Sequence, residues 1–154
     1  ADPSTLIRCF VHDKRLYIDY EYYKTGLEIT AIPAAYKSIP LSDKFPIFAD
    51  SARPDTISHI RNNGFPLIVG AEKGKGSIED GIEHIKGYEK VVIHPRCTHT
   101  IDEFRLYSYK VDPRTDIISN DVEDKNNHCI DALRYALSKL IKGRAGKASI
   151  HYDF

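Results

Sequence analysis

Three observations predict an α/β fold, a mixed sheet flanked by helices. Short apolar segments alternate with helical segments between residues 45 and 107, a spacing typical of parallel strands joined by right-handed crossovers. A hairpin pattern precedes this region. The clearest helical periodicity follows it, at 126–142. The length of 154 residues fits one domain.

The amino-terminal part predicts a β-hairpin followed by a helix. Residues 6–11 and 16–23 are rich in apolar and aromatic side chains, and the polar segment 12–15 supplies a turn between them. A helical pattern then covers about 27–37. Pro33 lies inside it and predicts either a break or a new first turn.

The central part predicts three strands and three helices. Pro54 near a helix start and Gly64 just past its end are typical boundary residues. The continuous apolar run 91–93 favours a strand buried on both faces. The predicted strands are 45–49, 65–70 and 90–94, and the predicted helices are 54–63, 78–88 and 98–107.

The carboxyl-terminal part predicts a second hairpin at 109–119 and then the long helix 126–142. An apolar stripe that includes Ile130, Leu133 and Leu137 identifies the buried side of this helix. We assign 1–143 to the domain and expect the small, basic tail 144–154 to be mobile.

Composition excludes several classes of protein. Apolar residues make up 42% and charged residues 29%, which is ordinary for a globular domain. No apolar run approaches the ~18 residues that span a membrane, and no signal segment opens the chain. Three widely spaced cysteines argue against a disulfide scaffold and favour a reducing, intracellular setting. The balance of 22 basic and 22 acidic residues disfavours non-specific coating of nucleic acid but leaves room for a local basic groove.

Asp50 is the first candidate site residue. It follows the predicted strand 45–49, at the edge where open α/β sheets bind ligands. The alternative is that Asp50 only caps the next helix.

Asp131 and His128 form the second candidate pair. They lie three residues apart on the last helix and therefore share a face, which is compatible with a metal site. The alternatives are a surface ion pair between Asp131 and Arg134 and an ordinary polar role for His128.

Two further patterns are weaker. His94, Cys97 and His99 lie close together, but no fourth zinc ligand is evident nearby. The glycine-rich segment 71–76 between a strand and a helix lacks the full Walker pattern. Its lysines are either phosphate contacts or part of a solvated turn.

Four segments, taken in order, resemble the C-terminal nuclease domain of the large terminase subunit of tailed bacteriophages. The resemblance covers residues 2–140, and its most specific part is Asn-His-x-x-Asp-Ala-x-Arg-Tyr. The four segments are Phe-Ala-Asp-Ser-Ala-Arg-Pro at 48–54, Glu-Lys-Gly-Lys-Gly-Ser-Ile at 72–78, Thr-Ile-Asp-Glu-Phe-Arg-Leu-Tyr-Ser-Tyr at 100–109 and Asn-His-Cys-Ile-Asp-Ala-Leu-Arg-Tyr at 127–135.

This resemblance implies an RNase H-like fold in which three acidic residues hold divalent metal ions. By motif, Asp50 takes the second acidic position, Asp131 the third, and His128 a histidine position found at the metal in some members. The first acid of the family lies just before the Asp-Pro that Asp2-Pro3 matches. We therefore expect that acid and its strand to lie outside this sequence. The absence of Met and the start at Ala1 agree with a piece of a longer polypeptide.

The resemblance also implies the chemistry and the partners. We expect a two-metal site for Mg²⁺ or Mn²⁺ that hydrolyses phosphodiester bonds in concatemeric double-stranded DNA. Four basic residues are candidates for contacting the duplex: Lys73, Lys75, Lys110 and Arg114. The implied partners are a packaging ATPase domain in the same chain, the small terminase subunit and the portal protein, and the implied location is the host cytoplasm.

Two other functions remain open. One is a resolvase-like nuclease that acts on branched DNA. The other is a non-catalytic docking or DNA-binding module, a role that the expected absence of the first acid would favour.

Overall fold

The structure, a computed structural model, describes residues 2–110 and 127–141. Its strands are β1 (Pro3–His12), β2 (Arg15–Thr25), β3 (Ile47–Ala49), β4 (Ile68–Gly70) and β5 (Lys90–Ile93). Its helices are α1 (Ile32–Tyr36), α2 (Pro54–Asn62), α3 (Ser77–Lys86), α4 (Thr98–Lys110) and α5 (His128–Ala136), and a 3₁₀ turn spans Ile29–Ala31.

The predicted amino-terminal hairpin is confirmed. Strands β1 and β2 pair antiparallel, with one register shift between Arg8 and Cys9. Asp13 and Lys14 form the tight turn, with φ values of 52° and 63°. Positive φ at both central residues is required by the two-residue hairpin turn whose twist matches that of the flanking strands. Strand β5 adds to β2 in parallel, so the first sheet has the order β1-β2-β5.

Strands β3 and β4 form a separate parallel pair, with Ile47 opposite Ile68. Among the described residues, β1 pairs only with β2 and β3 only with β4. The outer edges of β1 and β3 line one cleft, and α5 packs against both strands. The two parts of the sheet are therefore joined through α5.

Each part of the sheet has its own apolar core. Phe65 and Ile68, each 1% exposed, anchor the core beneath β3 and β4. Leu16 and Leu133, both fully buried, anchor the core between the hairpin and α5. The buried stripe predicted for the last helix is confirmed at Ile130 and Leu133, but the predicted extent 126–142 is wrong, because α5 ends at Ala136.

Pro33 marks a new helical turn, which was one of the two predicted outcomes. The 3₁₀ turn ends at Ala31, and Pro33 is the second residue of α1. A proline is tolerated in this first turn because its missing amide would have no partner within the helix there.

Two predictions, one about the central part and one about the carboxyl-terminal part, are wrong. The run 91–93 is not buried on both faces, because β5 lies at the sheet edge and Val92 is 40% exposed. The predicted second hairpin cannot begin at residue 109, because α4 continues to Lys110. The rest of that hairpin and the tail 144–154 lie outside the described residues. No helix in the described part of the chain has the length and apolar character to cross a membrane.

Candidate metal centre

Asp50 directly follows β3, at the carboxyl end of the parallel pair β3–β4. Its side chain is 46% exposed, and its carboxylate accepts a hydrogen bond from the amide of Ala52 at 3.0 Å. The N-cap position of α2 belongs to Arg53, so the alternative role of Asp50 as a helix cap is wrong. The carboxylate is therefore available to a ligand at the sheet edge.

Lys73 gives Asp50 a cationic neighbour. The Lys73 ammonium donates a hydrogen bond to Oδ1 of Asp50 and lies 5.1 Å from the centroid of the Tyr135 ring. Partial burial acts to raise the pKa of the Asp50 carboxyl, but the hydrogen bonds from Lys73 and Ala52 outweigh it and hold that pKa below its ordinary value. Asp50 is therefore anionic at neutral pH and forms an ion pair with the Lys73 ammonium.

His128 and Asp131 line the same cleft as Asp50. His128 is the first residue of α5, and Asp131 lies in its first turn. The cleft has a volume of about 1270 Å³ and is bounded by β1, β3 and α5. The three residues thus line one cleft although they come from distant parts of the sequence, and their grouping as metal ligands stays a prediction.

Asp131 pairs with Arg134, as the alternative interpretation supposed, but the pair is not a surface pair. The Arg134 Nη2 atom lies 2.6 Å from Oδ1 of Asp131, and the Arg134 side chain is only 7% exposed. Gly81 of α3 makes room for it, since a Cβ atom there would lie 2.6 Å from Cδ of Arg134. Buried Arg134 therefore fixes one carboxylate oxygen of Asp131.

Glu103 of α4 holds the amino end of α5, a contact that the sequence analysis missed. Its carboxylate accepts hydrogen bonds from the amides of Cys129, at 2.8 and 3.0 Å, and of Ile130, at 3.1 Å. Burial raises the pKa of Glu103 despite these bonds. One sequence pattern points to Glu103: it follows Thr100 by three residues, so the two polar side chains share one face of α4, and both are buried.

The other sequence candidates are not brought to this cleft. His94 accepts a hydrogen bond from Nε of Arg96 at 2.8 Å, Cys97 is fully buried, and His99 Nδ1 lies 2.8 Å from the carboxylate of Glu21. In the part of the chain that the structure describes, no three side chains of His, Cys, Asp or Glu form a group that could hold a metal ion.

The predicted DNA contacts have different positions. Lys73 is turned toward Asp50, whereas Lys75 is exposed in the loop before α3. Lys110 ends α4, but its side chain lies outside the described residues, as does all of Arg114. These four residues are therefore not shown to form one basic surface.

The described strands form a three-stranded mixed sheet and a parallel pair, both packed against helices, an arrangement compatible with an RNase H-like nuclease fold. Residues 1–139 match the family described as "Terminase RNAseH like domain", and the chain belongs to that family. A crystal structure of the g2p (large terminase) nuclease domain from the bacteriophage SPP1 with bound Mn superposes with a TM-score of 0.76. The two share 29% identity over 90% of this chain and 79% of that one.

Two curated relatives are similar in sequence. The terminase large subunit of Bacillus phage SPP1 is 39% identical over 98 residues, which cover 62% of this chain and 23% of that protein. The PBSX phage terminase large subunit of Bacillus subtilis (strain 168) is 30% identical over 124 residues, covering 80% of this chain and 28% of that protein. The matched part is about a quarter of the length of these relatives.

Proposed function

We propose that this chain is a metal-dependent DNA endonuclease domain of a viral DNA-packaging motor. The observation that carries the proposal is that Asp50, His128 and Asp131 line one cleft although β3 and α5 are far apart in sequence. The related SPP1 nuclease domain was crystallised with bound Mn, which supports a divalent cation as the cofactor.

The donor types present suit such a cation, but Asp50, His128 and Asp131 as placed do not form a complete metal-holding group among the described residues, so the proposed site also needs a further carboxylate. The carboxylate oxygens of Asp50 and Asp131 suit Mg²⁺ or Mn²⁺, and the Lys73 ammonium shows that Asp50 accepts positive charge at this place. Asp50, Asp131 and His128 would hold the metal. When bound, divalent ions supply an activated water and stabilise charge on the phosphate during hydrolysis.

Hydrogen bonds within this chain orient the carboxylates of the proposed metal ligands. Arg134 donates a hydrogen bond to Oδ1 of Asp131 and thereby orients the carboxylate. The amide of Ala52 does the same for Asp50. Ligand carboxylates that are hydrogen-bonded in this way are held in a defined direction before the metal binds.

A two-metal site requires a further carboxylate, which we place on a strand between β1 and β3. Both strands have unpaired edges toward the cleft among the described residues, and such edges are templates for another strand. A strand inserted there would join the two parts of the sheet into one and would pass beside Asp50. This is the position that the family resemblance gives to the first acid.

The substrate that we propose is concatemeric double-stranded DNA, cut by phosphodiester hydrolysis. Lys75 is exposed in the loop before α3 and is proposed to contact the phosphate backbone, and Lys110 and Arg114 remain candidates. The names of the relatives support a large terminase subunit. The proposed partners are therefore a packaging ATPase domain, the small terminase subunit and the portal protein, in the host cytoplasm.

The test is nicking of plasmid DNA by the full-length protein with Mn²⁺. Asp50→Asn and Asp131→Asn should each abolish nicking with the circular dichroism spectrum unchanged, whereas Asp55→Asn should remain active. Asp55 is the control because it is an exposed aspartate in the first turn of α2 and does not line the cleft. Wild-type nicking by both cleft variants would refute the assignment.

The same assay separates the two alternatives. Preference for four-way junctions over linear duplex would indicate a resolvase-like nuclease. DNA binding without cleavage at any Mn²⁺ concentration would indicate a non-catalytic module.

A further inference from the structure

Helix α5 does not cap its own amino end. The N-cap residue, Asn127, makes no side-chain capping hydrogen bond. The amides of Cys129 and Ile130, at the second and third helical positions, instead donate to the carboxylate of Glu103. These are the two amides that an N-cap side chain usually satisfies, so Glu103 performs this role from another helix.

The capped turn is also the turn that carries the proposed metal ligands. Cys129 and Ile130 lie between His128 and Asp131 in sequence, and both are buried. The position of their amides therefore sets the direction in which the two flanking side chains enter the cleft. Glu103 itself is 5% exposed and does not line the cleft.

Glu103 is in turn held in place from the sheet. Glu21 of β2 accepts hydrogen bonds from the amides of His99, at 3.1 Å, and Thr100, at 2.9 Å, at the amino end of α4. It also accepts one from the Thr100 hydroxyl at 2.8 Å. The first sheet thus fixes α4, and α4 fixes the first turn of α5.

We propose that Glu103 is a positioning residue for the metal centre. Glu103 accepts hydrogen bonds from the amides of Cys129 and Ile130 and thereby keeps the first turn of α5 in place. This holds the His128 and Asp131 side chains in the cleft that Asp50 also lines. This inference rests on the proposed function, because it concerns how the same site is aligned. Residues that orient metal ligands in this way typically change metal affinity about 10- to 100-fold when they are replaced.

The test compares Mn²⁺ affinity by calorimetry in the full-length protein and its variants. Glu103→Asp keeps the charge but withdraws the carboxylate by one methylene, and we expect its Kd for Mn²⁺ to rise about tenfold or more. Glu103→Gln keeps an oxygen that can accept both amides, and it should retain most of the affinity. Leu137→Ala is the matched control, because it removes a buried side chain at the other end of α5.

Leu137→Ala should lower the melting temperature without changing the Kd. An equal rise in Kd for Glu103→Asp and Leu137→Ala at equal loss of melting temperature would reduce Glu103 to a structural role and overturn the inference. A Gln variant as weak as the Asp variant would also overturn it, since charge rather than position would then matter.

Failure of the proposed function is distinguishable from failure of this inference. If Asp50→Asn and Asp131→Asn bind Mn²⁺ as tightly as the wild type, the metal centre itself is misassigned and the inference falls with it. If both weaken binding while Glu103→Asp does not, only the inference is overturned.

Discussion

The ammonium group of Lys73 lies against the carboxylate of Asp50 and over the ring of Tyr135. Tyr135 is on α5, so this contact links the loop before α3 to the helix that carries Asp131. A divalent cation that binds Asp50 must share the carboxylate with this ammonium or displace it. In the proposed metal centre Lys73 would thus compete with the cation for Asp50, and its predicted contact with the DNA backbone stays a prediction.

Replacing Lys73 should tighten metal binding. In Lys73→Ala the competing charge is gone, and because the pair is partly exposed it is worth about 0.2–1 kcal/mol. The Kd for Mn²⁺ should thus fall roughly 1.4- to 5-fold, as measured by calorimetry. The control is Lys75→Ala in the same loop. An equal fall in the Kd for Mn²⁺ in this variant would show that losing any positive charge from the loop, and not the Lys73–Asp50 contact, tightens metal binding.

Replacing His128 should weaken metal binding without unfolding the domain. In His128→Ala we expect the Mn²⁺ concentration for half-maximal nicking to rise about tenfold, since one ligand is lost while the carboxylates remain. His12→Ala is the control, because His12 is exposed at the end of β1. A Mn²⁺ titration identical to that of the wild type would remove His128 from the site.

Adding a methyl group at Gly81 should disturb the site from α3. In Gly81→Ala the new Cβ lies 2.6 Å from Cδ of Arg134. Overpacking of about 1–3 kcal/mol opposes a gain in helix propensity of about 1 kcal/mol. Urea denaturation should show net destabilisation, and displacement of Arg134 from Asp131 should raise the Kd for Mn²⁺. At Gly74 nothing lies within 4 Å of an added Cβ, and Gly74→Ala should change neither value.

The capping carboxylate of Glu21 should make stability depend on acid pH. Burial acts to raise the pKa of Glu21, but hydrogen bonds from Thr100 and His99 outweigh it and lower that pKa. The stabilisation is therefore complete above the pKa of the unfolded chain and is lost as pH falls through the lower folded value.

The measurement is the free energy of unfolding in urea for the wild type and Glu21→Gln, between about pH 5.5 and about pH 3. The advantage of the wild type should shrink as the pH falls. An advantage that stays constant or grows in acid would contradict the lowered pKa.

Local pattern predicted most of the elements and two acidic positions. The stripe on α5 was visible because Ile130 and Leu133 recur at helical spacing and are buried. Asp50 was identified because it follows an apolar strand. The two-face burial of 91–93 was predicted wrongly because apolar composition does not distinguish a central strand from an edge strand such as β5.

Contacts between distant segments were not predictable from local pattern. The spacing of Glu103 from Thr100 indicates a shared helical face but not that Glu103 caps α5, and nothing near Lys73 indicates that it pairs with Asp50. Arg134 was expected on the surface because an i,i+3 ion pair usually lies there, yet Gly81 of another helix lets it be buried. These contacts arise from tertiary packing.

The central claim is that Asp50 and Asp131 bind the same metal centre. Its most direct test is the anomalous scattering of Mn²⁺ in crystals of the full-length protein, at a wavelength near the manganese edge. The account predicts a peak in the cleft within coordination distance of both carboxylates, and its loss in Asp131→Asn. An intact cleft with no peak, or a peak that contacts neither residue, would contradict it.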